Sequence, residues 1–164
     1  MNMKVTFLAA IILIGAITGI KAQTSDAEAD AIVNLLGVQK KEAIAHLVSV
    51  SGKDSVAFWK IYDEFQVENK ANAKDRIGLY EKTALSYSNM TPAIADSLSM
   101  KYFANRMSQE KALETYYQKI KTATNALVAF QFYQAEVYML TQIRASIMQQ
   151  IPTYGELKNS MKKK

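Results

Sequence analysis

The run from Thr124 to Ile151 is the most apolar part of the chain outside its first 22 residues, and it carries only two charges, Glu136 and Arg144. One row, Val128, Phe132, Ala135, Met139, Ile143 and Ile147, recurs at helical spacing. A second row is Phe130, Tyr133, Val137 and Leu140. Two rows on one helix predict burial on more than one side, by the rest of the chain or by a second subunit. Any fold for this sequence has to cover that helix.

The remaining punctuation is helical as well. Ser25 with Glu28 three residues on reads as a capping box, followed by Ile32, Leu35, Leu36, Ala43, His46 and Leu47. Gln39 interrupts that stripe, Val38 sits one position off it, and Gly37 argues against a straight helix. Ser51 and Asp54 suit a second helix start, leading into Phe58, Ile61, Tyr62 and Phe65 at i, i+3, i+4 and i+7. Residues 66–76 are mostly polar, so either a long helix with a solvated middle or a break near Asn69–Asn72 satisfies the pattern. Apolar spacing resumes at Ile77, Tyr80, Ala84 and Tyr87. Thr91-Pro92 is a cap with proline in the first helical position. Ile94, Leu98, Tyr102, Phe103, Met107, Leu113, Tyr117 and Ile120 continue from it, and a further helix is expected to start at Thr124. Pro152 and Gly155 end the last helix. Starts spaced 40 and then 33 residues apart are too irregular for a solenoid. The expected fold is all-α: about four helices forming long helical hairpins, paired as a homodimer through the apolar faces of the longer ones.

The N-terminus directs the compartment. A basic start ending in Lys4 precedes an uncharged, mostly apolar run from Val5 to Ile20, and Ala22 offers a small residue at a cut before Gln23. That is a signal-peptide layout. The alternative is an uncleaved anchor, but 16 residues fall short of the ~18–20 that span a bilayer. Residues 1–22 are therefore expected to be removed, 23–157 to form one helical domain, and 158–164 to be a lysine-rich disordered tail in a periplasmic protein. Residues 1–22 hold Lys4 and Lys21 and no acid, which leaves 18 basic against 15 acidic residues in the exported chain. Lys158, Lys162, Lys163 and Lys164 account for four of the basic ones, so the body is close to neutral. A neutral exported body is a poor nucleic-acid binder, and the tail offers at most weak attraction to anionic lipid.

Catalytic signatures are missing. The chain has no cysteine and a single histidine, His46. Glu42 lies one turn earlier on the same face, which makes at most half of a metal site within one chain. No serine sits in a nucleophile elbow. Asp63, Glu64 and Glu68 read as the wet side of an amphipathic helix, where general acid–base work lacks a dry cleft. Neither a metal, a cofactor nor an enzymatic activity is expected. Of the 15 aromatic residues after position 22, Trp59 stands out, because it lies off the stripe of Phe58, Tyr62 and Phe65. A large ring on a flank suggests a helix–helix, subunit or ligand contact, and Phe58, Trp59, Tyr62 and Phe65 are the candidate contacts for a client or partner.

Two short segments carry a family resemblance. Ala57-Phe58-Trp59-Lys60-Ile61-Tyr62-Asp63-Glu64-Phe65 resembles the A-F-W-P-I-Y-x-E-Y segment of small exported helical proteins of Gram-negative bacteria. Gln131-Phe132-Tyr133-Gln134-Ala135-Glu136, with Ile151-Pro152 beyond it, is similar to their R-F-x-Q-x-E…I-P ending, with Gln131 where their Arg stands. These proteins in turn resemble the Spy/CpxP (LTxxQ) superfamily of periplasmic stress proteins. The LTxxQ pattern is altered here: Met90-Thr91-Pro92-Ala93-Ile94 keeps only Thr, and Leu127-Val128-Ala129-Phe130-Gln131 keeps Leu and Gln. The resemblance implies long hairpins paired into a thin curved dimer. It also implies either ATP-independent chaperone action on unfolded or envelope proteins, or an adaptor or sensor role toward a membrane signalling partner.

Overall fold

The structure is a computed structural model that describes residues 26–148. Among them are four α-helices and no strand: α1 (Asp26–Leu47), α2 (Gly52–Ser86), α3 (Pro92–Ala123) and α4 (Ala126–Met148), with a 3-10 turn (Tyr87–Asn89) between α2 and α3. The all-α class and the helix number are as expected. The expected signal peptide, the Ser25 cap, the helix end at Pro152 and Gly155, and the lysine tail lie outside the described residues. None of the described helices is long and apolar enough to cross a membrane.

α2 runs unbroken for 35 residues, about 50 Å at 1.5 Å per residue. Its polar middle does not break because α3 satisfies it. Arg76 Nη1 donates to Gln109 Oε1 at 2.6 Å, Asn105 Nδ2 donates to the Asn72 carbonyl at 2.9 Å, and Tyr116 OH donates to Glu68 Oε2 at 2.7 Å. Asn69, Arg76 and Gln109 are buried. A helix whose buried face is polar escapes a search for apolar spacing.

The start signals hold with two changes. Thr91 caps α3, its hydroxyl accepting from Ile94 N at 3.3 Å. Ser51 occupies the N-cap position of α2, but its side chain makes no capping bond. Thr124 closes α3 instead of opening α4: its backbone N donates to the Ile120 carbonyl at 2.8 Å. Asn125 opens α4, its Oδ1 accepting from Leu127 N and Val128 N at 3.0 and 3.1 Å.

The core forms where α1, α2, α3 and α4 meet, around Ile44, Phe58, Phe65, Leu113, Ile120 and Phe132. A smaller cluster joins Tyr80 to Ile143 further along α2. On α4 the first row is core from Val128 to Ile143. The second row is not a second buried side: it runs from exposed Phe130, through half-buried Tyr133 and Val137, to buried Leu140. On α1 the buried face is Val33, Lys40, Ala43, Ile44 and Val48, rotated from the expected stripe, so His46 and Leu47 are exposed. The rotation follows from Lys40, a core position that a hydrophobicity pattern reads as solvent. Gly37 leaves α1 continuous, its carbonyl accepting from Gln66 Nε2 at 3.0 Å.

Candidate functional site

The candidate aromatic residues of α2 sit at the centre of the molecule. Phe58, Tyr62 and Phe65 are fully buried, and the Phe132 ring of α4 packs edge-on against all three at centroid distances of 6.5, 6.2 and 5.4 Å. Tyr116 of α3 completes the group, 5.2 Å from Phe65. Trp59 is half-buried on the flank, edge-on to Phe58 at 4.9 Å, with the Lys41 ammonium 5.6 Å from its ring centroid. With the helices packed in this way, only Trp59 of the four can reach a partner. The other three can touch one only if the helices part.

Inside this aromatic shell lies a buried polar knot. Lys40 Nζ from α1 donates to Glu136 Oε2 at 3.0 Å, and Tyr62 OH from α2 donates to Glu136 Oε1 at 3.1 Å. The Lys40 ammonium also lies 5.2 Å from the centroid of the Phe65 ring. Burial pushes the Tyr62 phenol well above its usual range, and the Glu136 charge and hydrogen bond add to the shift. Tyr62 is therefore a neutral donor. Glu136 has no solvent exposure and both its oxygens are engaged, so the knot ties three helices together and offers no open acid or base to a substrate. The surrounding shell joins two distant segments, with Phe58, Tyr62 and Phe65 from α2 and Phe132 and Glu136 from α4. Gln131 Oε1 accepts from Ser49 N at 3.1 Å.

The other titratable candidates stay apart. His46 and Glu42 are exposed. Asp63 pairs with Lys41, while Glu68 accepts from Tyr116, whose phenol is pushed up to about 12 by burial and by that hydrogen bond. Among the described residues no three His, Cys, Asp or Glu side chains converge as a metal site would require.

Two surface features were not legible as such. On α3, Met100, Phe103 and Met107 are 61%, 59% and 67% exposed. They form one helical row with Arg106 and Glu110 beside it. Apolar spacing assigned Phe103 and Met107 to the same buried stripe as Leu113 and Ile120. The structure buries a different face, with Leu98, Gln109, Leu113, Tyr116 and Ile120 along the length of α3, and Phe103 and Met107 project from another side of the helix. The second feature is a cleft of about 530 Å³ bounded by α1, α2 and α4. It is built from residues more than 100 positions apart, which local spacing does not link.

Neither a family model, nor a curated protein, nor a solved structure matches this chain.

Proposed function

We propose that this chain is a non-enzymatic binding protein of the cell envelope that holds unfolded segments of other proteins, as the Spy/CpxP proteins it resembles do. The observation that carries the reading is the uncovered row Met100, Phe103 and Met107 on α3. Thioether side chains are flexible and polarisable, and surfaces rich in them adapt to many partners. Charged neighbours such as Arg106 and Glu110 keep such a row soluble while it is empty. Export through loss of residues 1–22, and a periplasmic location, belong to the same proposal.

The proposed architecture is two helical hairpins, α1 with α2 and α3 with α4, in a chain that pairs with a second copy. Contacts between α2 and α3 run in opposite directions, from Thr83–Tyr102 through Arg76–Gln109 to Glu68–Tyr116, as successive helices in a thin antiparallel layer require. The outer face of α4, with Leu127, Phe130 and Tyr138 exposed, is the face a second copy would cover.

A sensor or adaptor that docks on one membrane signalling partner is the second reading. It is favoured by the short extent of the α3 row, which suits one defined contact better than many clients. Aggregation suppression separates the two. The purified chain is added without ATP to two unrelated unfolding proteins, and light scattering is followed. The expected result is suppression of both at stoichiometric amounts, weakened several-fold by Phe103→Lys. Absence of suppression for both proteins removes the chaperone reading and leaves the adaptor.

A further inference from the structure

The cleft between α1, α2 and α4 has mostly apolar walls, with Val33 and Leu36 on one side, Val67 and Ile77 on another, and Leu140 and Ile143 at the back. Its volume of about 530 Å³ falls within the ~300–1,000 Å³ of small-molecule sites. Four cations also line it: Lys40, Lys41, Lys70 and Arg76. Three of them face carboxylates, Lys40 on Glu136 at 3.0 Å, Lys41 on Asp63, and Lys70 on Asp30 at 3.8 Å.

Arg76 is the exception. It is only 9% exposed, and its hydrogen bond goes to a neutral amide, Gln109. Among the described residues it has no carboxylate in ion-pair range. The Gln109 Nε2 beside it is buried and has no hydrogen-bond partner among them. One turn further on, the charges of Arg144 and Arg106 both act on the Tyr80 hydroxyl. Burial weighs against the charged form of Arg76, and the like charge of Arg144 adds to this. Tyr80 and, more weakly, Glu136 act in the opposite sense, but Tyr80 is a phenol and the Glu136 oxygens are already committed to Lys40 and Tyr62. One end of an apolar cleft thus holds buried donors in excess of acceptors and a guanidinium without a counter-ion. Nature rarely leaves a buried charge unmatched.

We infer that this cleft binds a free long-chain carboxylate, a fatty acid, with its chain along the apolar walls and its carboxylate on Arg76. The planar guanidinium fork matches a carboxylate with two parallel hydrogen bonds. A single guanidinium lining the cleft suits a single negative charge better than a phosphate. The surrounding ion pairs are closed within the chain, so discrimination falls to Arg76.

Calorimetric titration of the full chain with dodecanoate, below its micelle concentration, tests the inference. Dodecyltrimethylammonium and dodecyl phosphate are the controls, with the same chain and different head groups. The expected result is one saturable site per chain, with dodecanoate bound at least about tenfold more tightly than the cation, the scale of one charged hydrogen-bonded contact. Arg76→Met should abolish that preference while leaving residual binding of both chains. Ala73→Trp, placed in the cleft wall, should remove binding of all three. Should Arg76→Met not fold, the head-group comparison and Ala73→Trp still decide. Absence of saturable binding, equal affinity for carboxylate and ammonium, or a preference that survives Arg76→Met overturns the inference, and tighter binding of dodecyl phosphate overturns the carboxylate assignment. Phe103→Lys lies outside the cleft and should leave dodecanoate binding unchanged, so this result and the proposed client binding fail independently.

Discussion

Gly52 has φ +57° at the first turn of α2, a conformation that costs an L-residue about 1–2 kcal/mol. Nothing lies within 4 Å of the position its Cβ would take, so an alanine there meets a backbone penalty and no clash. Ser51 makes no side-chain cap, which leaves the turn dependent on the glycine. Gly52→Ala is expected to lower stability by about 1 kcal/mol, or about 2–4 °C in melting temperature for a domain of this size. Gly78 sits inside α2 with open space around it and an ordinary φ. Gly78→Ala should raise stability by roughly 0.5–1 kcal/mol. Urea unfolding followed by circular dichroism checks both, and equal signs for the two would contradict the conformational account. The caps differ in how openly they show in the sequence. Thr91-Pro92 is unambiguous, whereas Thr124 and Asn125 are adjacent cap residues, and only the backbone path decides which one ends α3 and which one starts α4.

Among the elements, α1 and α4 meet α2 through Lys40, Glu136 and Tyr62. A buried pair of this kind contributes little beyond what an apolar set of the same volume would, but breaking it strands a charge. Glu136→Ala is therefore expected to cost about 3–5 kcal/mol. The combined change Lys40→Met, Tyr62→Phe, Glu136→Leu removes all three polar groups together and should recover most of that loss. Urea midpoints for the single and triple variants measure the difference. A triple variant as unstable as Glu136→Ala would mean that the knot is worth more than its shape. This interaction also explains the rotated face of α1. Lys40 lies on the buried row with Val33, Ile44 and Val48, but its charge hides it from any apolar pattern. Glu136 was visible as one of two charges on a covered helix, yet nothing local names its partner 96 residues away.

At the scale of the molecule, packing is uneven. The large cluster occupies the end where all four helices contribute, while the turn between α2 and α3 carries exposed Leu85, Tyr87, Met90 and Ile94. Local opening free energy follows buried contact density. Amides of residues 128–140 should exchange only through global unfolding, and those of residues 85–97 on the order of a hundredfold faster or more. Native-state hydrogen exchange measures this directly. Uniform protection across the chain would show that the two clusters unfold as one. Met100, Phe103 and Met107 are uncovered for a different reason: they lie on the side of α3 turned away from its buried face of Leu98, Gln109 and Leu113.

Sequence alone determined the helical class and the number of helices, because helical periodicity and capping are local, and it placed the row from Val128 to Ile143 of α4 in the core. It also placed Phe58, Tyr62 and Phe65 on one face of one helix. Whether that face looks inward or toward a partner depends on what packs against it, and Phe132 and Tyr116 close it from two other helices. Tertiary structure alone decided that residues 66–76 stay helical, since their support is hydrogen bonding from α3. It alone separated Phe103 from Leu113, which apolar spacing joins, because the packed face of α3 carries Leu98, Gln109, Leu113 and Ile120 and leaves Phe103 turned outward. The Arg76 cleft belongs to the same class of fact: a guanidinium with no carboxylate in ion-pair range among the described residues is defined by everything around it, and spacing along the chain carries no record of that.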